Sequence, residues 1–318
     1  MLSVGLSGHF RLEVRDGYTH KLTKVREFDN LITNRGLDGY GYGNDPYLIN
    51  NCYVGTGMAL PSVNDVGLAV PLASTSGVAE SNHIAPTAPD WVSSRVNRYR
   101  FAVGTVVGNI SEVGIGGENY FWSRARILDD YGNPSDITVL ANEYLDVIYT
   151  LRLHPNLNDI PFTFTLGGET YSGTARPQNI QDSQITGTST LSVYGGITPN
   201  SGIEINAVYN SGNLGTINQE IQNYNSGGRL TVGPSAWGME EYAQGSYRRR
   251  FYSTIGLNEG NVAGGIIGFS VIPRPIGNYG TLGSVFRLET QIMLNKPIPK
   301  DNTNSVKITL QVQWGRFG

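Results

Sequence analysis

The stretch Phe28-Asp29-Asn30-Leu31-Ile32-Thr33-Asn34-Arg35-Gly36-Leu37-Asp38-Gly39-Tyr40-Gly41, followed by Cys52-Tyr53-Val54-Gly55-Thr56-Gly57, decides how the chain is read. It spells a strand running out, one short helix, a glycine-rich loop, and a strand that stops on two glycines. Thr33 or Asn34 is placed to cap the free amides of that helix, and Leu31, Ile32 and Leu37 to bury its inner side. The glycines beyond supply positive φ angles that β-branched residues resist. Short elements between glycine stops belong to a β-rich protein.

Upstream, Phe10-Arg-Leu-Glu-Val14 and Lys21-Leu-Thr-Lys-Val25 alternate strictly around Asp16-Gly17. That pattern predicts a hairpin with Phe10, Leu12, Val14 and Leu22 inward and the charged residues outward. Downstream, residues 58–97 have little periodicity and carry Pro61, Pro71, Pro86 and Pro89. A connection of that length marks a functional or inter-subunit loop. Strands are then expected at Arg98–Val107, Tyr120–Leu128 and Tyr144–Leu153, the last apolar enough to lie centrally in a sheet.

After a linker at 155–161 the order begins again. Phe162–Leu166 and Thr170–Thr174 flank Gly167-Gly168 as a second hairpin, and Thr216-Ile-Asn-Gln219 has capping-box spacing. Leu214, Ile217, Ile221 and Tyr224 then recur at helical intervals before Gly227-Gly228, predicting a second short helix. Leu230-Thr-Val-Gly233 echoes Tyr53-Val-Gly55, and Arg248-Arg-Arg-Phe251 echoes Arg98-Tyr-Arg-Phe101. Val285–Leu288 echoes the Phe121–Leu128 strand, and Val306–Val312 the strand ending at Leu153; the offsets run from about 150 to about 180 residues. The expected fold is mainly β: two tandem antiparallel β-sandwich (jelly-roll-like) modules, each with one short helix, arising by internal duplication. The first module spans 1–156 and the second 157–318, with an inserted hairpin around 177–213. Chance similarity between two ordinary β domains is the alternative.

The 318 residues are 39% hydrophobic and only 15% charged, with 41 glycines and a net charge of −3. That excludes the disordered class and gives no pull towards free nucleic acid. The one cysteine, Cys52, excludes an intrachain disulfide and a multi-cysteine zinc site. No apolar run is long enough to span a membrane, and residues 1–9 lack a signal-peptide pattern, so synthesis in a cytoplasm is expected.

Signatures of chemistry are sparse. His9, His20, His83 and His154 have no metal-binding spacing, and no nucleophile elbow, phosphate loop or dinucleotide fingerprint occurs. No catalytic residue, metal or cofactor is expected. A glycan hydrolase needs two carboxylates across a cleft; Glu112, Glu118, Asp129, Asp130 and Asp136 are available, but loop solubility explains them far better and the hydrolase ranks well behind the other readings. Two features are suited to binding. Tyr40, Tyr42 and Tyr47 sit among Gly, Asn and Asp, as do Tyr194, Tyr209, Tyr224, Trp237 and Tyr242 elsewhere, a composition that suits adaptable contacts or sugar rings. Arg98 and Arg100, with Arg248 and Arg250 in the second half, share one strand face and suit pairing with carboxylates of a neighbouring subunit. Sheet packing and a plain solvated face are the respective alternatives.

Asn-Leu-Ile-Thr-Asn-x-Gly-Leu-Asp (30–38), Val-Gly-Thr-Gly (54–57) and Ile-Ser-Glu-Val-Gly-Ile-Gly (110–116) together resemble β-rich structural proteins of tailed bacteriophage virions. The resemblance covers roughly the first half of the chain. It implies a non-enzymatic tail, collar or baseplate component in the virion, with partners among other virion proteins and copies of itself in a ring or trimer. The alternatives are a receptor- or carbohydrate-binding virion protein touching a host surface glycan, and a capsid decoration protein.

Overall fold

A computed structural model describes residues 2–42, 48–76, 78–117, 119–178, 180, 201–222, 228–232, 236–275 and 289–318. The chain opens on β1 (Leu2–Asp16), whose strict alternation buries Leu2, Val4, Leu6, Phe10, Leu12 and Val14 on one face. Asp16 then turns the chain by accepting the Tyr18 and Thr19 amides at 3.1 and 2.7 Å. The return strand is β2 (Leu22–Asp29), and Phe10 stands opposite Phe28. Leu22 departs from expectation. A bulge at Val14/Arg15 sets Leu22 opposite Arg15, which turns its side chain to the outer face.

The first half continues through β3 (Leu31–Ile32), α1 (Asn34–Tyr42), β4 (Asn51–Gly55), β5 (Pro71–Ser76), β6 (Glu80–Ile84) and β7 (Ser93–Phe101). It ends with β8 (Gly108–Ile110), β9 (Glu112–Gly116), β10 (Phe121–Arg126), β11 (Ile137–Val139) and β12 (Glu143–Pro155). The region expected to be one long loop thus contains β5, β6 and the start of β7. Short polar strands at sheet edges leave little periodicity to read. β7 stops at Phe101, earlier than expected, because Thr105 turns back on Ala102 with Gly104 at φ +76°. β12 buries Val147, Tyr149, Leu151 and Leu153 as the alternation predicts.

In the second half, β13 (Ile160–Leu166) and β14 (Glu169–Pro177) form the expected hairpin, with Gly167 and Gly168 both at positive φ. Then come β15 (Ser201–Tyr209), β16 (Arg229–Thr231), β17 (Ala236–Met239), β18 (Arg248–Ile255), β19 (Ile266–Pro275), β20 (Thr290–Ile298) and β21 (Val306–Arg316). The second helix does not form within residues 214–222. Thr216–Gln219 is a single turn closed by Gln219 N to Thr216 O, and Asn213 bridges Gln222 as an antiparallel pair. The capping-box side chains do meet, with the Thr216 amide 3.4 Å from Gln219 Oε1. The buried Gln291 amide donates to the carbonyls of Gly215, Thr216 and Gln219, holding them away from helical partners. β15, one strand of the expected inserted hairpin, lies inside a sheet, between β16 and β19. The expected strands at 188–194 and 285–288 lie outside the described residues.

Three sheets and one ribbon result. The largest has the order β17-β18-β21-β1-β12-β7-β6, with β2 beside β1. The second runs β3-β10-β9-β4-β5 and the third β13-β14-β20-β19-β15-β16, while β8 and β11 pair alone. The smaller sheets lie against the inner face of the large one, β5 against β7 and β15 against β17 and β18. One continuous apolar core joins them, from Leu6 and Tyr99 through Trp122 to Ile205, Phe269 and Trp314.

Strand order repeats between the halves. Read in chain order, β3, β4, β5, β9 and β10 hold the places in their sheet that β14, β15, β16, β19 and β20 hold in theirs. In the large sheet β12-β7-β6 lies on one side of β1 and β21-β18-β17 on the other. β1 is antiparallel to β12 and parallel to β21, so a half-turn about an axis through β1 exchanges the two triplets in order and direction. Strands from both sides of residue 156 share one sheet, so hydrogen bonding runs across the expected module boundary.

Candidate functional site

The stretch that decides the fold is a clamp between the halves. Thr33 Oγ1 accepts the Gly36 amide at 2.9 Å, capping α1, while Leu37 and Ile32 enter the core. Gly36 lies so close to Trp122 that a Cβ would stand 2.5 Å from its carbonyl oxygen. The second half grips the helix. Asp38, nearly buried, accepts the Tyr242 hydroxyl at 2.6 Å and the Gly245 amide at 2.7 Å. Trp314 Nε1 donates to Leu37 O at 3.0 Å, Arg316 Nε to Ile32 O at 2.6 Å, and Arg249 Nη1 to Gly41 O at 2.8 Å. Gly41 leaves room for the Tyr242 and Trp314 rings.

The other two motifs build a second fastening. Glu112, wholly buried, accepts the amides of Gly57, Ala69 and Val70 at 3.0, 3.0 and 2.7 Å. Arg124 pairs with it at 2.8 Å and extends to Asp65 at 2.8 Å and to Ala59 O at 2.9 Å. Both ends of the 57–70 loop are thus tied to one carboxylate, and its middle is tied through an arginine. Gly57 is required because a Cβ there would stand 2.7 Å from the Glu112 carboxyl carbon. Held this way, the loop presents Met58, Leu60 and Val66 to solvent at 75%, 71% and 68% exposure, with Val70 and Leu72 half-exposed beside them.

The outer face of the large sheet is ionic. Buried Asp146 accepts both Arg100 Nε and Arg100 Nη2 at 2.7 Å and Arg98 Nη1 at 3.0 Å, and Arg98 also reaches Glu80 at 3.1 Å. The hydrogen bond to Asp146 raises the Arg100 pKa above its ordinary value. Glu13 takes Arg15 and Arg11 at 2.7 Å each, and Arg11 also meets Glu27. Burial pushes the Glu13 carboxyl up, but the bonds from Arg15 and Arg11 outweigh it and leave the pKa below the ordinary value. Glu143 is likewise pushed up by burial and brought below its ordinary value by the Leu140 amide, Thr23 and Lys24.

The residues expected to bind are therefore dispersed. Tyr40 is a correction: it is 1% exposed, packed edge-on against Trp314, because α1 extends through the predicted loop. Tyr42 stacks on Tyr120 and meets Tyr242 edge-on. Tyr47, Tyr194 and Tyr224 lie outside the described residues. Arg98 and Arg100 are a second correction, since their carboxylate partners are supplied by their own chain. Arg248 and Arg250 are exposed on β18, with Arg250 3.7 Å from Glu240 and Arg248 facing Gln313 on β21. Cys52 is buried in β4.

No pair of carboxylates faces across a cleft among the candidates described. Glu112 is consumed in the loop fastening, Asp129 closes a turn on Tyr131 and Asn133, Asp136 pairs with Arg126, and Asp130 is exposed. Glu118 lies outside the described residues. Among the described residues no group of three or more His, Cys, Asp or Glu is placed to hold a metal, and no helix is long and apolar enough to cross a membrane. His154 is not exposed alone: its Nε2 lies 2.8 Å from Ser7 Oγ and its ring stacks on Phe317 at 3.7 Å. No protein-family model, curated protein or solved structure significantly matches the chain.

Proposed function

We propose that the chain is a non-enzymatic structural protein of a tailed-phage virion, an assembly element of the tail, collar or baseplate region that contacts further copies of itself and other virion proteins. The observation that carries the reading is the 57–72 loop: exposed Met, Leu and Val side chains on a loop fastened by a buried carboxylate and arginine. Ordering cost is already met in such a loop, which favours a permanent contact. Exposed apolar side chains gathered on one loop are of the kind that mark an interaction site. The three motifs that resemble phage structural proteins fall on the two fastenings that make the body rigid, a role suited to a scaffold. We further read the repeated strand order as a tandem duplication of a sandwich module. The half-turn relation about β1 and the collinear order in the smaller sheets support it.

Mass spectrometry of purified virions from a phage encoding this chain tests the reading; the chain is expected as a stoichiometric component, and its absence from intact particles overturns it. Native mass spectrometry of the purified protein tests the loop. Wild type is expected to form a defined oligomer and the Met58→Asp/Leu60→Asp/Val66→Asp variant a folded monomer. An unchanged assembly in the variant would remove the loop from the interface.

A further inference from the structure

A trough of about 550 Å³ lies on the large sheet where β12, β1 and β21 run side by side. Its floor is made of two glycines in direct register, Gly5 on β1 and Gly315 on β21. Above Gly315 there is open space: a Cβ built there meets nothing within 4 Å. On one side stands the Phe317 ring, folded back over Gly5 so closely that a Cβ on that glycine would lie 2.7 Å from it. The opposite side is amide-rich, with Gln313 facing Ser3 across the strands and Asn156 next along, its backbone amide bonded to Ser3 O.

Phe317 is fixed although it is 59% exposed. The His154 ring lies parallel behind it, 3.7 Å away and 4° from coplanar, and His154 is itself held by Ser7. His154 thus covers one face of Phe317. A ring so backed offers its other face as a rigid apolar wall, whose negative π-cloud attracts the polarised C–H bonds of a saturated ring. Gln313 carries a donor and an acceptor side by side, the pattern that adjacent hydroxyl groups require, and Asn156, whose Oδ1 accepts the Asn158 amide at 3.1 Å, adds its Nδ2 donor. Charge argues in the same direction. Arg316, the cation lining the trough, is committed elsewhere, with Nε on Ile32 O at 2.6 Å and Nη2 on Asn34 Oδ1 at 2.7 Å. With these two bonds made, Arg316 cannot offer an anion the side-on Nε/Nη2 fork that bidentate pairing uses. Nor can an extended peptide add to the sheet here, because β1 already pairs with β12 on one edge and β21 on the other.

We propose that this trough binds a neutral sugar ring of a glycan, stacked on Phe317 above Gly315 and hydrogen-bonded by Gln313 and Asn156. The volume fits the range of small-molecule sites. The site is separate from the 57–72 loop, and the proposal does not depend on the virion reading.

The structure supplies a clean test. Gly315 is outside the left-handed backbone region and its Cβ direction is empty, so Gly315→Leu adds bulk to the trough with no backbone strain and no clash at Cβ. The full chain is applied to a printed array of defined neutral and acidic oligosaccharides, and the strongest neutral hit is then titrated by NMR. Wild type is expected to bind neutral glycans, and both Gly315→Leu and Phe317→Ala to weaken the titrated glycan by about tenfold or more, with thermal midpoint and far-UV spectrum unchanged for Gly315→Leu. Absence of wild-type binding across the array overturns the proposal. So does preference for acidic glycans alone, or equal binding by wild type and Gly315→Leu. Loss of the chain from virions would sink the assembly reading and leave this one standing.

Discussion

Arg124 illustrates how much structure can hang on one side chain. It is 3% exposed and joins Glu112, Asp65 and Ala59 O. Removing one member of a buried ion pair leaves an uncompensated charge, which costs about 3–5 kcal/mol. Arg124→Met is expected to lose stability of that order in urea denaturation and to open the 57–70 loop to limited proteolysis. Adding Glu112→Gln to the same variant should recover part of the loss, because the wholly buried carboxylate is then gone and the remaining one, Asp65, is partly exposed to water. A double variant as unstable as Arg124→Met would place the cost in packing instead. The sequence marks Glu112 and Gly57 through their motifs, but not their meeting, because they are joined by a side chain and 55 positions apart.

At the scale of elements, α1 is where reading from sequence succeeds and also where it stops. Cap and inner face are local features, and Thr33, Ile32 and Leu37 take their expected roles, whereas Leu31 is only partly buried and Gly36, Gly39 and Gly41 lie inside the helix instead of ending it. What the helix docks against is not local: Tyr242 is 204 positions from Asp38, and Trp314 is 277 from Leu37. No periodicity reports such pairings, so Tyr40 reads as an exposed loop aromatic although it is core. The same limit explains the missing second helix. Its 3.6-residue pattern is real, yet Gln291, supplied by β20, competes for the carbonyls. Tyr242→Phe tests the clamp. It keeps the ring packing but deprives Asp38 of its hydroxyl donor, so a loss of about 1–3 kcal/mol in denaturant unfolding is expected. An unchanged midpoint would mean that the Gly245 amide alone satisfies the carboxylate.

For the whole molecule, the ionic face of the large sheet ties stability to pH. Glu13 and Glu143 both have folded pKa values below their ordinary ones. Depressed acids of this kind contribute stability that is fully present above the unfolded value, about 4.3, and lost as pH falls through the lower folded value. The groups facing them are Arg11, Arg15 and Arg98 around Glu13, and Lys24 with Thr23 around Glu143. Thermal midpoints are therefore expected to hold from pH 7 towards 5 and to fall below about pH 4. Glu13→Gln should flatten that acid limb; an acid limb identical to wild type would assign it to other carboxylates. Alternation makes the outward position of these charges legible from sequence. Their partners are not, since register alone decides that Asp146 stands opposite Arg100 and Glu13.

The parallel pairing of β1 with β21 has a consequence for synthesis. Leu2–Leu6 leaves the ribosome first among the described strands, yet one of its edges is covered only by Val312–Arg316, in the last of the described strands. Until then β1 can pair with β12 and β2, but Leu2, Val4 and Leu6 border an open, apolar sheet edge. An edge of that kind recruits strands from other chains. A nascent or prematurely released chain lacking β21 is therefore exposed to misassembly, and emergence of β21 is the step that closes this edge of the sheet.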